Sequence, residues 1–198
     1  MSLPIAQPFT YDPDAAAAFA ERAADQINAG AITLMLSFGH RTGLFDVLAA
    51  LPPSTSAEIA ARAALAERYV REWLAALVTG GGVPHRPARR PYALPPEHAA
   101  CLTRDAPLDN LAVYAQMLFG IATVQDRVLA CFETGGGTTY DEYPDFHHVM
   151  AQDSGQTVVA RLFETLLPLA TELPARLEAG CAVLDAGCGQ GLALMALA

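Results

Sequence analysis

Apolar residues recur along most of this 198-residue chain at the three- and four-residue spacing of helices rather than the alternation of strands. Residues 14–28 form an Ala-rich stretch with Asp12 and Asp14 near its positive end, which predicts a helix stopped around Gly30. A second helical stretch, residues 31–51, is dominated by Ile32, Leu34, Met35, Leu36, Phe38, Leu44, Phe45, Val47 and Leu48. It is too apolar all round for a surface helix and predicts core or a subunit interface. Gly39 and Gly43 interrupt it and Pro52-Pro53 ends it. Thr55-Ser56-Ala57-Glu58 then reads as a capping box opening a short helix over 59–64. In residues 67–79 the apolar positions Val70, Trp73, Leu74, Leu77 and Val78 fall on one helix face, and Gly80-Gly81-Gly82 closes it. Val83 begins an extended stretch that turns through 84–91 and returns as Tyr92-Ala93-Leu94. Two short helices followed by a hairpin make a winged helix-turn-helix pattern.

Beyond the hairpin, residues 99–103 lead to a long predicted helix over 110–132, rich in Leu111, Val113, Tyr114, Met117, Leu118, Phe119, Ile121 and Val124. Gly135-Gly136-Gly137 follows; no strand precedes it and no Gly-Lys-Ser follows, so it reads as a hinge or turn rather than a phosphate loop. A further helix is predicted over 155–167, burying Val158, Val159, Leu162, Phe163, Leu166 and Leu167, with Pro168 weakening its continuation. Residues 173–178 predict a short connecting helix, and residues 182–184 enter a strand.

The most specific motif comes last. Residues 183–191 read Val-Leu-Asp-Ala-Gly-Cys-Gly-Gln-Gly, a short apolar run into Asp185 and then Gly187, Gly189 and Gly191. The dinucleotide fingerprint fails here, because its third glycine would fall on Leu192. The spacing Asp-x-Gly-x-Gly-x-Gly instead resembles the first motif of class I S-adenosylmethionine-dependent methyltransferases. That resemblance implies a cofactor turn at Gly187, Gly189 and Gly191 with Cys188 inside it, and a role for Asp185 in orienting the cofactor's amino group. A winged helix ahead of such a core resembles the dimerisation domain of many small-molecule O-methyltransferases. The segment 132–155, with Tyr140, Phe146, Met150 and Ser154, is similar to the stretch preceding their cofactor domain. By that likeness Phe146 and Met150 pack around cofactor and acceptor, with Tyr140, and Met117 on the long helix, toward the acceptor. The implied chemistry is in-line transfer of a methyl group from a sulfonium to an acceptor nucleophile, in which the protein aligns the partners and excludes water.

Charge divides the chain unevenly. The net charge is −9, of which residues 1–108 hold −1 (nine arginines against ten acids) and residues 109–198 hold −8 (three against eleven). There is no lysine. Residues 62–104 sum to +4, with Arg86, Arg89, Arg90 and His85 in the hairpin, which keeps a DNA-binding regulator in view as an alternative. Against it, residues 67–79 carry Arg68 and Arg71 but also Glu67 and Glu72, for no net charge, whereas phosphate contacts supply most affinity for DNA. Cys101, Cys131, Cys181 and Cys188 are too widely spaced for a zinc site or a disulfide framework and read as buried thiols; no metal is predicted. The longest apolar run, residues 111–124, is short of the roughly 20 residues a membrane span needs, and the first residues lack signal-peptide features, which predicts a cytoplasmic protein.

The expected architecture is therefore mainly α: a winged-helix dimerisation domain over 1–104, a helical linker and acceptor-pocket region over 105–178, and the first strand of a Rossmann-like domain over 179–198. A lone strand leaves its backbone groups unpaired, so the last twenty residues are expected to fray or pack irregularly. The resulting expectation is an S-adenosylmethionine-dependent methyltransferase of small molecules, a homodimer, present as an N-terminal part inactive alone. The alternatives are the DNA-binding regulator and a dimerisation module without chemistry. No catalytic base is assigned.

Overall fold

The computed structural model describes residues 10–83, 91–107 and 109–198. Ten α-helices follow one another among the described residues: α1 (Pro13–Thr42), α2 (Leu44–Ala50), α3 (Ser56–Ala63), α4 (Glu67–Thr79), α5 (Pro96–Leu102), α6 (Leu111–Ala122), α7 (Gln125–Thr134), α8 (Phe146–Thr157), α9 (Leu173–Glu178) and α10 (Leu192–Leu197). Short 3-10 and π turns over 159–169 connect α8 to α9.

The first helix is one 30-residue rod rather than two segments. Asp12 caps it by accepting from the Asp14 and Ala15 amides at 2.9 and 3.2 Å. Gly30 does not stop it, because an interior glycine only weakens a helix, whereas a stop needs a left-handed residue that turns the chain away. Gly43 provides that with φ 73°, its N–H reaching back to the carbonyls of Gly39 and His40.

The core lies among α2, α3 and α4, where Phe45, Leu48, Ile59, Val70, Leu74 and Leu77 are fully buried. Trp73 meets Phe45 edge to face, ring centroids 5.3 Å apart, and satisfies its indole N–H by donating to the Met35 carbonyl at 2.8 Å. The capping box is present: Thr55 accepts from the Glu58 amide, and the Glu58 carboxylate accepts from the Thr55 amide at 2.7 Å. The return strand of the expected hairpin is held by the chain just before α3. Tyr92 exchanges two backbone hydrogen bonds with Ser54, at 3.0 and 2.7 Å, in an antiparallel bridge; residues 84–90, which carry the hairpin's arginines and His85, lie outside the described residues.

Three expectations are corrected further along. The helix foreseen over 110–132 is split at Thr123, whose hydroxyl donates to the Gly120 carbonyl at 2.6 Å, and at Val124, which turns inward and is buried. The helix foreseen over 155–167 instead starts at Phe146 and ends at Thr157; only Leu162 and Leu167 of its expected apolar face are buried, while Val158, Phe163 and Leu166 are exposed. Pro168 cannot donate to the ladder there, and among the described residues no sheet covers that face. The cysteines are free but not buried: Cys101 and Cys131 are half-buried, and Cys181 and Cys188 exposed.

Among the described residues there is no β-sheet. Residues 180–185 are irregular, and Leu184 is 92% exposed, as an isolated strand without a partner must be. α1 packs against α6, α6 against α8, and α8 against α10.

Candidate functional site

Met117 is brought together with Tyr140, Phe146 and Met150 around one cavity of about 660 Å³. α6 contributes Met117 together with Gln116 and Ile121, α8 contributes Phe146, Val149 and Met150, and the segment 138–144 closes the third side. That segment is held by a second capping box, in which the Thr139 amide donates to the Glu142 carboxylate at 2.6 Å, and by a 2.7 Å hydrogen bond between Thr138 and the Tyr143 hydroxyl. Tyr140 stacks on Phe146 with ring centroids 4.8 Å apart and planes at 22°, making a flat aromatic wall. No charged side chain lines the cavity, so an ion entering it would lose hydration with no counter-charge to offset the loss.

Asp185, Gly187, Cys188, Gly189 and Gly191 do not reach this cavity. They form a separate turn in which Gly187, Gly189 and Gly191 take φ of 85°, 54° and 75°, all in the left-handed region that disfavours a Cβ. The Gly191 amide donates to the Cys188 carbonyl at 2.8 Å, and α10 begins immediately after. The two sites share α8. Its first turn carries Phe146 and, one turn on, Met150, while near its end a Cβ added to Gly155 would sit 3.8 Å from Leu192 of α10.

Behind the cavity runs a buried polar chain that no motif announces. His40, Asn110 and Gln116 are at most 6% exposed. The Asn110 side-chain oxygen accepts from the Ala112 amide at 2.9 Å, capping α6, and its nitrogen donates to the Leu102 carbonyl at 3.2 Å. Those two backbone partners fix the amide's orientation, so Asn110 presents an N–H to His40 Nδ1, 3.4 Å away. His40 Nδ1 is therefore the acceptor and Nε2 carries the proton, donated to Gln152 Oε1 at 3.3 Å. Gln152 Oε1 also accepts from Gln116 Nε2 at 2.7 Å, and Gln152 Nε2 donates to His148 at 3.1 Å. His40 is held neutral in the same sense by its surroundings: burial first, then the Arg104 guanidinium, lower its pKa below the ordinary value. Arg104 itself pairs with Asp46 and donates to the His40 carbonyl. The only sign of this chain in the sequence is a polar residue at a core position: His40 within the apolar run 31–51, Gln116 within 111–124.

Among the described residues no group of three or more His, Cys, Asp or Glu is placed to hold a metal ion, and no helix is long and apolar enough to cross a membrane. On α4, Arg71 is paired with Glu67 at 3.3 Å, so that helix offers no surplus of cations to a nucleic-acid backbone.

A family model described as the Rv2258c-like winged HTH domain matches residues 30–104. No curated protein matches the chain. Among solved structures, the mitomycin 7-O-methyltransferase MmcR superposes with a TM-score of 0.58 at 19% identity, over 93% of this chain and 56% of its own. Human N-acetylserotonin methyltransferase, in complex with SAM, gives 0.55 at 15% identity, over 96% and 57%. PigF with SAH gives 0.54 at 21% identity, over 89% and 54%. The chain therefore carries a winged HTH domain over 30–104 and shares the fold of part of each of these methyltransferases. It spans little more than half the length of these methyltransferases.

Proposed function

We propose that this chain provides the winged-helix dimerisation domain, the acceptor-binding helices and the opening cofactor turn of an S-adenosylmethionine-dependent methyltransferase acting on a small molecule. The observation that carries this reading is the gathering of Met117, Tyr140, Phe146 and Met150 around one uncharged cavity. Residues 1–104 are the dimerisation domain, 105–178 the acceptor region and 179–198 the start of the cofactor domain. S-adenosylmethionine, when bound, supplies a methyl group already activated on a sulfonium. The protein's own share is placement. The left-handed glycines bare the backbone at 187–191, where an added Cβ would meet no protein atom within 4 Å, so the turn has room for a ligand against its main chain. Asp185 would accept from the cofactor's amino group, and Phe146 and Met150 would exclude water between cofactor and acceptor. By this reading the 198 residues alone do not hold the cofactor tightly, because residues 180–190 are largely exposed and Leu184 and Leu169 present bare apolar surface.

The homodimer belongs to the same proposal. The α1 residues Phe19 and Ile27 are more than 60% exposed, on an apolar surface that a second copy would cover.

Isothermal titration of S-adenosylmethionine tests the reading. The 198-residue chain is expected to show no micromolar binding, and a longer product of the same reading frame to bind with an affinity that Gly189→Val abolishes. Micromolar binding by the short chain overturns its assignment as an incomplete site, and binding indifferent to Gly189→Val overturns the cofactor turn.

A further inference from the structure

Gln116 lines the cavity and is 6% exposed, yet its two amide ends are not equivalent. Its Nε2 donates to Gln152 Oε1 at 2.7 Å, which leaves its Oε1 as the end open to another partner. Which end is left open is not free to change. Asn110 is pinned by two backbone groups, Asn110 fixes the His40 tautomer, His40 fixes the Gln152 amide, and Gln152 takes the nitrogen of Gln116. A flipped Gln116 would set its oxygen against the Gln152 oxygen, acceptor against acceptor.

We propose that Gln116 is a specificity residue that accepts a hydrogen bond from the ligand, and that the cavity takes an uncharged, flat, aromatic acceptor bearing an O–H or N–H donor. The proposal rests on the reading of the cavity as the acceptor pocket. Flatness follows from the Tyr140–Phe146 wall, and neutrality from the absence of charged lining residues. The donor follows from the polarity of Gln116: a ligand offering only acceptors leaves the Oε1 desolvated and unpaired, which costs binding, whereas a donor satisfies it. His40 is then a positioning residue, two hydrogen bonds away from Gln116 and three from the ligand, whose tautomer sets what the cavity offers.

The test uses a matched pair of probes, 2-naphthol and 2-methoxynaphthalene, identical in ring and different in one donor, titrated into the 198-residue chain and followed by naphthalene fluorescence. The wild type is expected to bind 2-naphthol about three- to tenfold more tightly, the range of a single neutral hydrogen bond. Gln116→Met, close in volume, is expected to remove the preference while retaining binding of the ether. His40→Leu is expected to reduce the preference from a distance, which a merely structural role would not do, since loss of structure weakens both probes together. Equal affinity of the wild type for both probes, or a preference that survives Gln116→Met, overturns the proposal. Met150→Trp separates it from the reading beneath: if filling the cavity abolishes binding of both probes, the pocket stands whatever Gln116 does. If binding survives Met150→Trp, or neither probe binds at all, both fall.

Discussion

At the scale of single residues, Gly39 and His40 show how closely the end of α1 is fitted to its neighbours. A Cβ on Gly39 would overlap Phe45 Cε2 and lie 2.6 Å from Trp73 Cζ2, so the glycine is there to let two aromatic rings approach the helix backbone. Both rings are buried and Trp73 is anchored through its indole to Met35, which leaves little room to yield. Gly39→Ala is expected to destabilise the chain by about 1–3 kcal/mol despite alanine's better helix propensity, seen as a lower urea midpoint with unchanged slope. A midpoint that rises would show that the rings shift freely. His40 carries a pH signature. Its folded pKa lies below the unfolded value of 6.5, through burial and Arg104, partly opposed by Gln152 and Asp46 and aided by His148. Between those two pKa values the unfolded chain binds the proton and the folded chain does not, so stability falls as pH drops below about 6.5 and is fully present above it. Urea midpoints between pH 7.5 and 5.5 should therefore decline more steeply for the wild type than for His40→Leu; parallel declines would remove His40 as the cause.

At the scale of elements, the winged-helix part was legible because its signals are local. The bounds of α4 follow from one apolar face closed by three glycines, and those of α3 from a capping box that closes on itself within four residues. Thr55→Ala removes the acceptor for the Glu58 amide, and a loss of about 1 kcal/mol is expected in denaturant unfolding. Thr55→Ser should restore most of it, since the hydroxyl is what matters; equal losses in both would point to the methyl group instead. Where tertiary contacts decide, the sequence was silent or misleading. The break at Thr123 depends on a hydroxyl turning back to Gly120, and the pairing of Tyr92 with Ser54 joins residues 38 apart. The Asn110–His40–Gln152–Gln116 chain joins α1, α6 and α8, and no periodicity in any one of them encodes it. The cavity residues were recoverable only by resemblance, since Met117 and Phe146 are indistinguishable in pattern from ordinary core.

At the scale of the whole molecule, the distribution of exposed apolar surface is the feature that one chain cannot explain. α1 is 30 residues long, about 45 Å at 1.5 Å per residue, and its N-terminal half extends past the core with nearly every residue exposed. A solitary helix of that kind is marginal in water, because most helical stability comes from packing an apolar face. Phe19 and Ile27, eight residues apart, lie about 80° from one another around the helix and together make one broad exposed apolar stripe. A second copy burying that stripe would both stabilise the helix and close the two-fold assembly proposed above. Static light scattering of the chain is therefore expected to give twice the monomer mass of 20.9 kDa. The double substitution Phe19→Glu with Ile27→Glu should halve that mass while leaving the fluorescence of Trp73, buried in the distant core, unchanged. A wild-type monomer, or a dimer untouched by the double variant, would mean that another surface is covered and that the first half of α1 stands in water unaided.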